Sequence, residues 1–261
     1  MIREKDIKAA LIDWLYNKGQ IQDAVIINEM VVANWSRRAD LAVANGKLYA
    51  YEIKSSADTL KRLPGQVDLF SSHFDKVTVV AAAKFIPKIL ESYPSHIGVL
   101  EVTDEGGAAK IKQIRAGRLN ETRNTAILAD FLTKTDIHSL LKSEGISVPS
   151  TATRSTLVQQ ISSLPSRSVK KYVLTRLKEK YKDTFEAFSL ARRTSNTFDS
   201  ISLLSKKENA IRATRQRIEG YVESSFSPNP NAKPLSLGGL NLTLEDLADL
   251  PLSVICRKKR A

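Results

Sequence analysis

Residues 37–56 read RRADLAVANGKLYAYEIKSS, and this stretch decides the fold. Its two halves, 37–44 and 48–54, have the residue make-up of strands, and Asn45-Gly46 between them is a hairpin signal. A strand period of two puts Arg38, Asp40, Ala42 and Ala44 on one face and Leu41 and Val43 on the other. Glu52 and Lys54 likewise share a face, with Ile53 pointing into the opposite layer. A two-residue loop would oppose Asp40 to Tyr51 and turn it away from Glu52. A three-residue turn with a bulge, Ala44-Asn45-Gly46 with Gly46 at positive φ, brings the two carboxylates to one face, and that is the expected geometry.

Two carboxylates and a lysine on adjacent strands suit metal-dependent phosphodiester hydrolysis. Carboxylate oxygens hold a hard cation such as Mg²⁺ or Mn²⁺. The cation polarises the phosphate and helps to generate the nucleophile, and a nearby ammonium stabilises the developing charge. The backbone carbonyl of Ile53 is a further candidate ligand. The same spacing of Asp40, Glu52 and Lys54 also arises on ordinary charged sheet faces. The strand–turn–strand context, and Gln66 on the helix that follows, favour the chemical reading.

Outward from the hairpin, residues 3–18 form a helix with apolar positions 7, 11, 14 and 15, and 24–32 form a strand interrupted by Asn28-Glu29. Residues 56–74 have a helical pattern, with Pro64 near a start or a kink. A strand at 76–83, a helix at 85–92, a strand at 97–102 and a turn at Glu105-Gly106-Gly107 complete the domain. The order predicts an α/β mixed sheet with helices on both faces over 1–118. No strand is expected beyond it. Helices at 126–132, 136–143, 156–163, 168–182, 184–192 and 201–224 make an all-α basic region over 119–225. Residues 226–261 read as a Pro/Ser/Asn/Gly-rich linker, a short capped stretch at 243–250 and a basic tail, Arg257-Lys258-Lys259-Arg260.

The combination Arg38, Asp40, Leu41, Ala42, Val43, Gly46, Leu48, Tyr51, Glu52, Ile53, Lys54, Ser55, Asp58, Thr59, Leu60, Arg62, Leu63 and Gln66 resembles the PD-(D/E)XK nuclease superfamily, whose restriction-endonuclease-like core runs αβββαβ. Within it, the pattern is similar to a largely uncharacterised bacterial and phage-type family, most strongly over 29–82. The resemblance implies that Asp40 and Glu52 are metal ligands, Lys54 the catalytic lysine and Gln66 the helix residue that reaches the site. It also implies a further glutamate, for which Glu29 is the choice and Glu4 the alternative. Phe70 stands where some relatives carry tyrosine, and Ala39 where the motif has proline. Residues 135–163 resemble a SAP-like helix–extended–helix DNA-binding module.

Composition sets the outer bounds. Of 261 residues, 40 are Lys or Arg and 28 Asp or Glu, a net charge of +12 that calls for an anionic partner, most simply nucleic acid. With 42% hydrophobic and 26% charged residues the chain suits a globular fold rather than wholesale disorder. No apolar run reaches a membrane span, and the charged start of the chain does not suit a signal peptide, so a cytoplasmic location with no membrane partner is expected. One cysteine, Cys256, excludes an internal disulfide and a Cys-rich zinc site, and His73, His96 and His138 have no ligand spacing. Residues 1–126 carry 18 basic and 15 acidic side chains, and 127–261 carry 22 and 13, so most of the excess lies in the second half.

Candidate phosphate contacts are Arg38, Arg62, Arg154, Lys170, Lys171 and Lys178. The function expected is that of a Mg²⁺-dependent DNA endonuclease or DNA-processing nuclease whose basic helical half holds the substrate. The alternative is a nuclease-fold DNA-binding adaptor or regulator with weak or no cleavage. The chemistry admits RNA as well as DNA, and a dimer is open.

Overall fold

The structure is a computed structural model that describes residues 2–32 and 37–205. The helix expected over 201–224 begins as a 3-10 turn at Ile201–Leu204; its part beyond residue 205, the linker, the capped stretch, the basic tail and Cys256 lie outside the described residues.

Burial of Ile7, Leu11, Ile12 and Leu15 on one stripe makes α1 (Glu4–Asn17) amphipathic. Strands β1 (Val25–Val32), β2 (Arg37–Ala44) and β3 (Leu48–Lys54) follow as an antiparallel meander. Helix α2 (Leu63–His73), which takes Pro64 in its first turn where no backbone donor is lost, crosses to β4 (Lys76–Ala82), parallel to β3. Helix α3 (Ile86–Ser92) crosses to β5 (Gly98–Glu105), parallel to β4, and β6 (Ala108–Arg115) returns antiparallel. The sheet order is β1-β2-β3-β4-β5-β6.

Helices α4 (Thr125–Ala129), α5 (Lys134–Ser143), α6 (Arg154–Ile161), α7 (Ser166–Ala191) and α8 (Thr197–Ser200) complete the described chain, followed by a 3-10 turn at Ile201–Leu204. The described part is therefore an α/β domain with a six-stranded mixed sheet, followed by helices. No helix among the described residues is long and apolar enough to cross a membrane.

The two sheet faces bury different partners. Ile26, Leu41, Val43, Tyr51, Ile53 and Val80 pack against α1, and Phe188 of α7 joins them. The other face carries Ala42, Ala44, Ala50 and Ala81, small residues that let helices approach closely, and packs against Leu63, Val67 and Phe70 of α2. Leu128, Leu140, Leu157, Val173 and Leu177, from α4 through α7, belong to that same core. Residue 118, the expected end of the first domain, lies between β6 and α4, and the elements on either side of it share one apolar interior. Asp75 ties them together at the buried end of β4. Its carboxylate accepts the Leu48 N–H at 2.8 Å and the Thr122 N–H at 3.2 Å, and pairs with the Lys170 ammonium.

Four local readings differ from the sequence expectation. Strand β6 was not expected, because only half of its side chains are even partly covered and its alternation is weak. The helix expected over 56–74 begins at Leu63, since Ser55–Asp58 closes a turn in which the Asp58 carboxylate accepts both the Ser55 N–H and hydroxyl. The segments 168–182 and 184–192 form one helix, α7, with Thr184 buried in its interior. The hairpin turn is three residues long but shifted by one, over Asn45-Gly46-Lys47, with Gly46 at φ +91° and Ala44 paired to Leu48.

Candidate functional site

The shifted turn keeps the parity on which the site depends. Leu41 pairs with Tyr51, so the next positions outward set Asp40 opposite Glu52. The β2–β3 ladder stops there, and the Asp40 carboxylate takes over by accepting the Ile53 N–H at 2.7 Å. This fixes the acid where the β2–β3 ladder ends, through a charge-assisted hydrogen bond. Glu52 is 1% exposed and Lys54 5% exposed, an acid and an ammonium two residues apart on a sheet face covered by α2.

The Lys54 ammonium contacts Glu52 Oε1, and Gln66 of α2 donates its amide to the same oxygen. Glu52 Oε2 and Gln66 Oε1 are buried with no hydrogen-bond partner. Burial, reinforced by the Asp40 charge, pushes the Glu52 carboxyl up to about 7 despite its Lys54 and Gln66 contacts. Asp40 is also raised, chiefly by burial and opposed by the Ile53 hydrogen bond.

These groups open on a cleft of about 460 Å³ that also receives Glu4, Glu29, Arg37, Arg38, Asp58 and Arg62. Glu29 sits opposite Asp40 across β1 and β2, between the pairs Asn28–Leu41 and Met30–Ala39. Its φ of +55° is a left-handed conformation that a non-glycine residue seldom adopts, at a cost of order 1–3 kcal/mol. Arg38 Nη1 lies 3.1 Å from the Glu29 carboxylate, so two of the sequence-selected residues partner one another on the cleft wall.

One residue in this neighbourhood escaped sequence reasoning. Lys8 of α1 is buried, donates to Asn28 Oδ1 at 3.0 Å and lies 3.4 Å from Glu4. Its charge favours ionised Asp40, whereas that of Glu4 opposes it. The available signal was a lysine on the stripe shared with Ile12 and Leu15, where an amphipathic helix otherwise places apolar residues.

The donor chemistry fits a hard divalent cation. Two carboxylates held at one strand end, one with a buried unpartnered oxygen, are what Mg²⁺ uses when water and phosphate fill its other positions. Among the described residues, no group of three or more His, Cys, Asp or Glu is placed to hold a metal ion, so the protein donors here are the two carboxylates and backbone carbonyls.

The remaining sequence-selected cations are spread along the molecule. Arg62 lines the carboxylate cleft. Lys170, Lys171 and Lys178 lie along α7 in a separate groove. Arg154 donates to the carbonyls of Leu132 at 2.8 Å and Ala129 at 2.8 Å, tying the start of α6 to the segment that closes α4. Arg154→Ala is therefore expected to lower stability by about 1–2 kcal/mol. That corresponds to roughly 2–8 °C in a thermal melt.

The chain is thus an α/β protein with a helical second part and a two-carboxylate, one-lysine cleft at the end of its hairpin. It belongs to the family Bacteriophage P4 protein cII, which it matches over residues 1–205. It is 43% identical over 209 residues to Protein cII of Enterobacteria phage P4, covering 79% of each chain. Among solved structures it is similar to a protein of unknown function from Silicibacter pomeroyi, at 18% identity and a TM-score of 0.35 over 54% of this chain and 93% of that one.

Proposed function

We propose that this chain is a divalent-metal-dependent nuclease of the PD-(D/E)XK type, with a restriction-endonuclease-like core, that hydrolyses DNA phosphodiester bonds. The observation that carries this reading is the convergence of β2, β3 and α2 on Glu52, whose second oxygen is buried and unpartnered beside Asp40. A Mg²⁺ or Mn²⁺ ion would be held by Asp40, Glu52 and the Ile53 carbonyl, with Glu29 or Glu4 at the rim. It would supply Lewis acidity at the phosphate.

The chain's own groups have separate tasks. The Ile53 N–H and the Gln66 amide orient the two acids. The Lys54 ammonium, held by Glu52, presents a positive charge where the leaving phosphate oxygens gain negative charge. Arg38 and Arg62 on the cleft rim neutralise flanking phosphates, and the basic helical region holds the rest of the nucleic acid.

The test is a cleavage panel of single-stranded, duplex and branched DNA, with RNA alongside, in Mg²⁺, Mn²⁺ or chelator. Metal-dependent products from the wild type, lost in Asp40→Ala and Lys54→Ala, support the assignment. Retained activity in either variant overturns it. Salt-dependent DNA binding with no turnover in any metal replaces it with the adaptor reading.

A further inference from the structure

A second concave surface differs from the carboxylate cleft in its charge. A groove of about 750 Å³ runs between the hairpin turn at Gly46-Lys47, the segment 121–123 and the N-terminal half of α7. It is lined by Lys47, Arg123, Arg167, Lys170, Lys171 and Lys178 against a single acid, Glu121. The carboxylate cleft instead receives Glu4, Glu29, Asp40, Glu52 and Asp58 against four cations. One surface is thus composed for a cation and the other for a polyanion.

Three groove cations have partners within the protein. Lys47 pairs with Glu121, Lys170 with Asp75, and Lys178 donates to the Asp23 carbonyl. These contacts anchor the groove walls. Arg123, Arg167 and Lys171 are exposed, and none of them has an ion pair within the described structure. Along α7, positions 167, 170, 171, 174 and 178 recur at helical spacing on the groove side. From 167 to 178 this ridge is roughly 17 Å long, the rise of about five nucleotides of a strand. The groove also lies at the far end of β3 from Glu52, roughly 17 Å away along the strand.

We infer that this groove is a phosphate-backbone binding site for a polynucleotide, separate from the carboxylate cleft and independent of metal. Arg123, Arg167 and Lys171 make the direct phosphate contacts. Lys47, Lys170 and Lys178 supply field from fixed positions. The choice of ligand rests on the nucleic-acid reading above, but the site itself does not require cleavage. Duplex DNA, single-stranded DNA and RNA share the phosphodiester chemistry recognised here.

The experiment is a fluorescence-anisotropy titration of the full chain in chelator, against a duplex DNA, a single-stranded DNA and an RNA of one sequence. Salt is varied between about 50 and 200 mM. Wild type is expected to bind at least one of the three with strong salt dependence. The triple variant Arg123→Ala/Arg167→Ala/Lys171→Ala is expected to bind at least tenfold more weakly. Its slope of log affinity against log salt should be shallower by about 2–3, one counterion-release increment per lost phosphate contact. Arg123→Lys/Arg167→Lys should keep the wild-type slope.

Unchanged affinity and slope in the triple variant overturn the inference. So does absence of wild-type binding in chelator, or a lysine variant as weak as the alanine one. Metal-dependent cleavage measured on the same preparations reports on the nuclease reading separately.

Discussion

Lys54→Ala is expected to reduce the metal-dependent cleavage rate on the order of 10²–10³-fold, the usual loss when one preorganised electrostatic group is removed from a developing charge. Asp40→Ala should lose at least as much, because it removes a carboxylate from the pair and frees the Ile53 N–H at the same time. The two losses have different origins, and metal titration separates them. Asp40→Ala should raise the metal concentration needed for half-maximal rate. Lys54→Ala should lower the rate even at saturating metal, since the acids remain.

Folding must be controlled, because Lys54 is 5% exposed and its removal leaves Glu52 buried without its ammonium. Lys54→Met keeps most of the buried volume and should melt close to wild type at about pH 5, where the Glu52 carboxyl is protonated and needs no ammonium, while remaining inactive. Lys54→Arg keeps the charge but replaces a compact ammonium with a planar fork, and it should recover little of the rate. Wild-type rates in a well-folded Lys54→Met variant would remove Lys54 from the chemistry.

How far the sequence disclosed this site depended on the kind of signal. The meeting of Asp40 with Glu52 was a demand of the two-carboxylate reading, and that demand, not the Asn45-Gly46 signal, called for an odd-length turn. Any odd-length turn puts them on one face, so the one-residue shift of the turn left the consequence intact. Gln66 was indicated by the resemblance to the nuclease superfamily, not by a local pattern, and in the fold α2 brings its amide to Glu52. Strand β6 was hidden because an exposed edge strand needs little apolar alternation.

Arg154 and Lys170 illustrate the opposite limit. Their charge was plain in the sequence, but the carbonyls of Leu132 and Ala129, and the buried Asp75, come from distant segments that no local pattern connects to them. The groove cations Lys47, Arg123 and Arg167 were missed for the same reason, since they belong to three separate stretches that only the tertiary fold assembles.

The buried acid pair also sets a pH signature that can be measured without any substrate. The Glu52 carboxyl is raised from its ordinary 4.5 to about 7, first by burial and then by the Asp40 charge. Below about pH 4.5 the group is protonated in both folded and unfolded chains and imposes no penalty. Between about 4.5 and 7 the unfolded chain ionises while the folded one keeps its proton, so stability falls as pH rises. Above about 7 the penalty is complete, at most on the order of 3 kcal/mol.

Glu52→Gln mimics the protonated acid and carries no such penalty. In chelator it should melt close to wild type at about pH 5 and higher than wild type at about pH 8, by roughly 6–12 °C. A divalent cation at pH 8 should reverse the order. On the proposed reading the cation would bind the folded wild type through the ionised pair and stabilise it by mass action, whereas the variant would offer one carboxylate instead of two. Melts that are flat with pH in chelator and unmoved by Mg²⁺ or Mn²⁺ would show that the Asp40–Glu52 pair is not held as a cation site. The same melts run on Asp40→Asn should bring the Glu52 carboxyl back toward its ordinary value, because the neighbouring charge that helps to raise it is gone.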